Sequence, residues 1–320
     1  MKRKTKLLLA PAAMVALLAL AACGGADAGA DTGDGGDGGA SGSVIVDGSS
    51  TVFPMSNAAA ELLNEENPDV QVSVSESGTG GGFERFCADE TDISDASRPI
   101  EEEEVAACEE TGIEFTELQV ATDALTVVVH PDLAVDCLTT DQLIELWAPG
   151  SEITNWNQLD PSFPDQEISL FGPGTDSGTY DYMAADVVGD DSEALREDFE
   201  SSEDDNVLVQ GVEGTKGGVG FFGYTYFEEN ADNLKALSID DGNGCVEPSA
   251  ETAQAGEYTP LARPLFIYVN NAKYTDNAAV AAYVDFYIEN LATIAETAQY
   301  IPLNDEDYSA TEDAASSIGG

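Results

Sequence analysis

Apolar and polar positions follow two different periods along this chain. In the segment Val70–Val74 every second residue is apolar, which predicts a strand with one buried face. Between a first predicted strand at Ser43–Val46 and this one, apolar residues recur every three or four positions over Met55–Leu63, which predicts a helix. Asn67 followed by Pro68 ends that helix, because the residue before proline disfavours helical backbone.

The same periods continue through the rest of the chain. Further strands are predicted at Ala124–Val129, Glu167–Phe171, Val219–Tyr224 and Leu265–Asn270. Further helices are predicted at Thr140–Trp147, Thr179–Val188, Ser192–Phe199 and Asn277–Asn290. Strands that alternate with helices favour a parallel sheet flanked by helices. Because roughly 280 ordered residues exceed one comfortable core, we expect two α/β lobes.

Three short segments combine glycines with small hydroxyl residues just before a predicted helix. They are Asp47–Pro54, Ser75–Gly82 and Gly172–Thr179. Such turns direct backbone N–H and side-chain O–H donors at one point, and the helix N-terminus adds partial positive charge. The pattern therefore predicts a site for an oxyanion that uses few cations.

The N-terminus has the pattern of an export signal. A basic start precedes an apolar run, Leu7–Ala22, which ends in Leu-Ala-Ala-Cys and is similar to a bacterial lipobox. We expect residues 1–23 to be a lipoprotein signal with Cys23 as the lipidated residue. Residues 24–42 are mostly glycine, aspartate and alanine, so we expect a flexible tether.

The charge balance excludes several classes of partner. The chain has 11 Lys and Arg against 62 Asp and Glu, a formal charge of −51. Four of the cations lie at Lys2, Arg3, Lys4 and Lys6, within the predicted signal. The remaining seven cannot supply the clustered positive charge that nucleic acids or anionic membrane surfaces require. So acidic a surface suits a salty medium, in which self-repulsion is screened.

The cysteines fit an exported protein. Without Cys23, four of the five cysteines remain, and they allow three disulfide pairings. We favour Cys87–Cys108 and Cys137–Cys245, because each pair then falls within one proposed lobe. We expect no metal site, because no Cys-x-x-Cys spacing occurs and His130 is the only histidine.

Five segments, in order over about residues 44–304, resemble the phosphate-binding protein of the high-affinity phosphate ABC transporter. They are Asp47–Pro54, Asp92–Pro99, Gly172–Tyr182, Gly220–Tyr224 and Ala262–Val269. The resemblance is strongest to the branch that reads Gly-Ser-Ser-Thr-Val near its start. It implies a two-lobed periplasmic-binding-protein fold of the class II type, with the ligand in the interlobe cleft. It also implies phosphate as ligand, permease subunits as partners, and neither enzymatic turnover nor a cofactor.

The resemblance also implies a set of phosphate-binding residues. They are Ser50, Thr51, Val52 and Phe53 in the first turn, Thr79 in the second, and Ser177, Gly178 and Thr179 in the third. Two positions depart from the better-studied branch of the family. Pro173 stands near the place of an arginine, and Ser97 stands in the place of an aspartate. Ser97 is nevertheless one of our candidate phosphate-binding residues.

Arg98 is our candidate for the missing guanidinium and Asp181 for the missing carboxylate, with Asp95 as second choice. An arginine would hold two phosphate oxygens in a planar fork. A carboxylate accepts a hydrogen bond from protonated phosphate and repels fully deprotonated sulfate. The alternatives are that Arg98 only pairs with a nearby acid such as Glu101, and that Asp181 only caps its helix.

These expectations define the following organisation. Lobe 1 comprises residues 43–122 and 263–308, lobe 2 comprises residues 123–262, and residues 309–320 form a C-terminal tail. We expect a monomer on the outer face of the cytoplasmic membrane, attached only through its lipid. The alternatives are a binder of sulfate, molybdate or arsenate, and a secreted phosphatase or other hydrolase.

Overall fold

The structure is a computed structural model and describes residues 39–175, 177–189 and 194–319. The predicted signal, the lipidation residue Cys23 and most of the predicted tether lie outside the described residues. None of the helices in these ranges combines enough length with enough apolar residues to cross a bilayer.

Strands and helices alternate along most of the described chain. The strands are β1 (Gly42–Gly48), β2 (Val70–Glu76), β3 (Ile93–Ala96), β4 (Phe115–Val129), β5 (Cys137–Thr139), β6 (Ser169–Gly172), β7 (Glu200–Ser201), β8 (Gly218–Gly223), β9 (Lys235–Ala236), β10 (Ser238–Asp240), β11 (Cys245–Val246) and β12 (Ala262–Asn270). The helices are α1 (Phe53–Glu66), α2 (Thr79–Cys87), α3 (Glu102–Thr111), α4 (Thr140–Trp147), α5 (Trp156–Leu159), α6 (Gly178–Asp181), α7 (Asp205–Gly214), α8 (Tyr224–Glu229), α9 (Ala250–Gln254), α10 (Asn271–Asp276), α11 (Ala278–Glu289), α12 (Leu291–Thr297) and α13 (Asp305–Ser316). A π-helix, Tyr182–Val188, follows α6 directly.

The main sheet is mixed rather than parallel. Its strand order is β2-β1-β3-β12-β4-β8-β6-β7, with β9 paired to β4, and a small second sheet has the order β11-β10-β5. Strands β2, β1 and β3 are parallel, and so are β8, β6 and β7. Strands β12 and β4 are antiparallel to their neighbours. The expected parallel sheet is therefore wrong for the central strands, which are the strands that connect the lobes.

The two largest hydrophobic cores of the described residues are separate and define two lobes. The first contains Val44, Met55 and Tyr283 and is formed by residues between 44 and 121 and between 265 and 318. The second contains Trp147 and Trp156 and is formed by residues between 125 and 261. Strand β4 contributes its first half to one core and its second half to the other, so it crosses between the lobes. The exact lobe boundaries stay a prediction.

Most predicted elements match the structure within one to three residues at each end. Helix α4 has the predicted bounds, because Thr139 caps it and Gln142 completes a capping box. The predicted helix Ser192–Phe199 is wrong over its described part, where residues 194–199 are irregular. There Arg196 is buried and donates to the carbonyls of Leu146 and Ile153, so it anchors the segment as a loop.

The C-terminal residues are packed, in contrast to the expected tail. Helix α13 lies against β4, and the Thr311 hydroxyl donates a hydrogen bond to the carbonyl of Gln119 at 2.9 Å. Ile318 belongs to the first core. Helix α13 carries few apolar residues, so its periodicity in the sequence is weak.

Two disulfides join the pairs that the sequence analysis favoured. Cys87 bonds to Cys108 and connects α2 to α3, and Cys137 bonds to Cys245 and connects β5 to β11. The second bridge closes a loop of 108 residues within the second core region.

Candidate functional site

The first glycine-hydroxyl turn connects β1 to α1. The backbone N–H groups of Val52 and Phe53 both donate to the carbonyl of Ser49, at 3.2 and 3.0 Å. The Val52 side chain is fully buried in the first core. These two N–H groups therefore hold the turn in this structure, and Ser50 and Thr51 line the cavity next to it.

The second turn begins α2 and lies directly beside the first. A Cβ atom on Gly82 would lie 2.5 Å from the Cα atom of Gly48, so only glycine lets α2 approach β1 this closely. The Thr79 hydroxyl accepts a hydrogen bond from the backbone N–H of Ser97 at 3.3 Å and lies 3.2 Å from the Ser97 hydroxyl. Thr79 and Ser97 thus form one polar pair at the N-terminus of α2.

The third turn approaches the first from the other lobe. A Cβ atom on Gly178 would lie 3.5 Å from the hydroxyl oxygen of Thr51, in ordinary contact. The Ser177 hydroxyl accepts from the backbone N–H of Thr179 and caps α6. Thr179 itself lines a second, smaller cavity of about 140 Å³ together with Asp123 and Asp205. Gly178 therefore lies against Thr51 of the first turn.

A cleft of about 650 Å³ lies between the first two turns and the helical residues that follow the third turn. Its lining includes six of the eleven predicted binding residues, namely Ser50, Thr51, Thr79, Ser97, Arg98 and Asp181. Val52, Phe53, Ser177, Gly178 and Thr179 do not line it. Arg263, Asp186 and Tyr182 line it as well, and sequence reasoning did not select them.

Arg263 is the central cation of the cleft. It lies on β12, is only 12% exposed, and its Nη2 donates to the Thr51 hydroxyl at 2.8 Å. Its Nη1 donates to Asp186 at 2.7 Å and its Nε to Asp123 at 3.3 Å, while the guanidinium lies 3.6 Å from the centre of the Tyr182 ring. Burial raises the pKa of Asp123, and the Arg263 charge opposes that rise. Arg263 therefore connects the first turn to the π-helix of the other lobe.

Arg98 lies at the rim of the same cleft with its fork already occupied. Its Nη1 and Nη2 atoms donate to the two carboxylate oxygens of Glu104 at 2.9 and 2.8 Å, and its Nε lies 3.3 Å from Glu101. The hydrogen bonds to Glu104 raise the pKa of Arg98. The structure thus contains the acidic pairing that was the alternative for Arg98.

The candidate carboxylates occupy two different environments. Asp181 lines the cleft, whereas Asp95 is fully buried and does not line it. The Ser56 hydroxyl donates to Asp95 at 2.8 Å, and burial raises the pKa of Asp95 to about 8. Asp95 therefore lies in the core under the first turn, and Asp181 and Asp186 are the carboxylates that line the cleft within the described part of the chain.

Signals for the missed residues were present but weak. Arg263 is the only charge in the otherwise uncharged strand β12, which is unusual for a buried position. Asp186 lies five residues after Asp181, which would place the two on different faces of an α-helix. In the π-helix that forms here, the i to i+5 repeat brings such residues to one face.

Comparison with known proteins identifies the family. A model of the PBP superfamily domain matches residues 35–290. Protein SphX of Synechococcus elongatus is 47% identical over 270 residues, which are 83% of this chain and 79% of that protein. The phosphate-binding protein PstS of Staphylococcus saprophyticus is 38% identical over 281 residues, 87% of this chain and 86% of that protein. The crystal structure of a possible phosphate binding protein from Planctomyces limnophilus superposes with a TM-score of 0.84 at 43% identity and covers 88% of this chain and 100% of that one.

Proposed function

Because the chain belongs to the PBP superfamily and to the family of SphX and PstS phosphate-binding proteins, we propose that it binds inorganic phosphate and delivers it to an ABC-type permease. The observation that carries this proposal is the interlobe cleft, which is lined by residues of two glycine-rich turns and by Arg263, whose guanidinium donates to the Thr51 hydroxyl. The described residues that line that cleft include no histidine or cysteine, and the family is one of ligand-binding proteins.

Neutral donors supply most of the proposed binding site. The hydroxyls of Ser50, Thr51, Thr79 and Ser97 lie around the cleft, and the N-terminus of α2 points into it at Thr79. Aligned N–H groups at a helix N-terminus stabilise an anion without a net positive charge. This suits a chain that carries 62 acidic residues, since the binding energy then does not depend on many cations.

Arg263 adds the charge that the neutral donors lack. A guanidinium has five N–H groups, and in this structure Asp123, Asp186 and Thr51 each accept one. Nη1 and Nη2 each keep one further N–H group for a ligand in the cleft. We therefore add Arg263 to the six predicted residues that line the cleft, among which Arg98 is a second cation at the rim. The other five predicted residues do not line the cleft in this structure.

Asp181 is the proposed acceptor for the phosphate proton. It lies in the cleft, where a carboxylate accepts a hydrogen bond from protonated phosphate and repels sulfate, which carries no proton near neutral pH. The buried Asp95, our second choice, is too far inside the first lobe to line the cleft.

The cellular setting is part of the proposal. The export signal and Cys23 support a lipid-anchored protein outside the cytoplasmic membrane, and a cleft formed by the two lobes of one chain suits a monomer. The lobes would close on phosphate by hinge motion at β4 and β12, and the permease would recognise the closed form.

Isothermal titration calorimetry with inorganic phosphate and with sulfate tests the function. We expect the protein to bind phosphate and to discriminate against sulfate. Arg263→Gln should weaken phosphate binding about ten- to hundredfold, the range of one or two charge-assisted hydrogen bonds. Lys273→Gln is the matched control, because Lys273 pairs with Asp89 outside the cleft. Absence of phosphate binding by the unaltered protein would refute the proposed function, and equal affinity of Arg263→Gln would remove Arg263 from the site.

A further inference from the structure

Arg98 lies where a ligand-binding residue would lie, but its guanidinium is already paired with acidic side chains. It lines the cleft, and its Nη2 atom lies 4.0 Å from the position of a Cβ atom on Gly80, at the N-terminus of α2. Its side chain is 36% exposed. The guanidinium thus lies against the turn at which an anion would bind.

Glu104 and its neighbourhood take up most of the donors of Arg98. Nη1 donates to Glu104 and to the carbonyl of Pro99, and Nη2 donates to the second oxygen of Glu104. With Nε beside Glu101, only one of the five N–H groups has no partner among the described residues. In this arrangement Arg98 cannot present two parallel N–H groups to a ligand.

The Glu104 carboxylate is held in place for this contact. It is the third residue of α3, and one of its oxygens accepts the backbone N–H of Glu101 at 2.8 Å in a capping box. Its side chain is 17% exposed, half the exposed fraction of Arg98. Because the helix fixes the carboxylate, little side-chain entropy is lost when it binds the guanidinium.

Carboxylate and phosphate both accept two parallel N–H groups from an arginine, so Arg98 can make this bidentate contact with only one of them at a time. We propose that Glu104 sets the affinity of the cleft for phosphate by competing with the ligand for the Arg98 fork. This inference rests on the proposed function, and it makes Glu104 a positioning residue that acts through Arg98.

The test is calorimetry of inorganic phosphate with Glu104→Gln. Glutamine keeps the size of the side chain and the capping box but removes the charge, so Arg98 becomes available to the ligand. We expect phosphate to bind about tenfold more tightly, as for one gained charge-assisted hydrogen bond. Glu103→Gln is the matched control, because it removes the same charge one position earlier on the exposed side of α3.

A second variant shows whether the gain acts through Arg98. In Arg98→Ala/Glu104→Gln the affinity should fall back to that of Arg98→Ala alone. A Glu104→Gln protein that binds phosphate no more tightly than Glu103→Gln, or a gain that persists without Arg98, would overturn the inference. In both cases phosphate binding by the unaltered protein would still stand, so this failure is distinct from failure of the proposed function.

Discussion

The buried carboxyl of Asp95 should make the stability of this protein fall as the pH rises. Asp95 is fully buried, one of its oxygens accepts the Ser56 hydroxyl, and the other has no hydrogen-bond partner among the described residues. Burial disfavours the charged form, so the pKa of Asp95 rises from 3.8 to about 8 in the folded protein. Asp95 is therefore neutral in the folded protein at pH 7.

The sign and size of the effect follow from proton linkage. Between pH 4 and pH 8 the unfolded chain has lost the Asp95 proton and the folded protein has kept it, so the folded state binds more protons. The free energy of unfolding then falls by about 1.4 kcal/mol for each pH unit in this window. The whole loss is on the order of 6 kcal/mol, and it is complete above the folded pKa of about 8.

Asp95→Asn removes this titration while it keeps the shape of the side chain. Urea unfolding, followed by circular dichroism at constant high salt from pH 4.5 to 9, gives the free energy of unfolding of both proteins. We expect the free energy of unfolding of Asp95→Asn, relative to that of the unaltered protein, to increase steadily up to about pH 8 and to stay constant above it. The Ser56 hydrogen bond lowers the Asp95 pKa, so Ser56→Ala should raise it. The fall in the free energy of unfolding should then continue to a higher pH than in the unaltered protein. Two curves that stay parallel over the whole range would refute the reasoning.

Two further changes test the packing around the site and at the C-terminus. Gly82→Ala places a methyl group 2.5 Å from the Cα atom of Gly48. It should lower the free energy of unfolding by about 1–3 kcal/mol and weaken phosphate binding. Gly80→Ala in the same helix is the control, because its methyl group has room and should not lower the free energy of unfolding. Equal melting temperatures of the two variants would contradict this. Thr311→Val removes the hydroxyl that donates to the Gln119 carbonyl and should lower the free energy of unfolding in urea by about 1–3 kcal/mol. Thr297→Val, on the exposed side of α12, is the control and should lower it little. A Thr311→Val protein as stable as the original would mean that α13 is not docked.

The local sequence pattern was sufficient to predict most helices and strands and the anion-binding chemistry of the turns. The alternation at Val70–Val74 and the caps around α4 are encoded within a few residues, so they could be recognised without tertiary information. The glycine-hydroxyl turns were recognisable for the same reason. Helix α13 was not recognisable, because its stability comes from docking on β4 rather than from an apolar face of its own.

The candidate site contains features of both kinds, some encoded locally and some dependent on the tertiary structure. The sequence alone determined the class of ligand, an oxyanion, because glycines, hydroxyls and helix starts in a chain poor in cations offer little else. Only the tertiary structure showed that Arg263 lines the cleft. Arg263 reaches Thr51 across 212 residues of chain, and Arg98 is drawn to Glu104 by a helix that begins beside it. A charge acts over a few ångströms of space, so the partners of Arg263 depend on how strands from both lobes meet. The partners of Arg98, in contrast, are Glu101 and Glu104, which lie within six residues of it in the sequence.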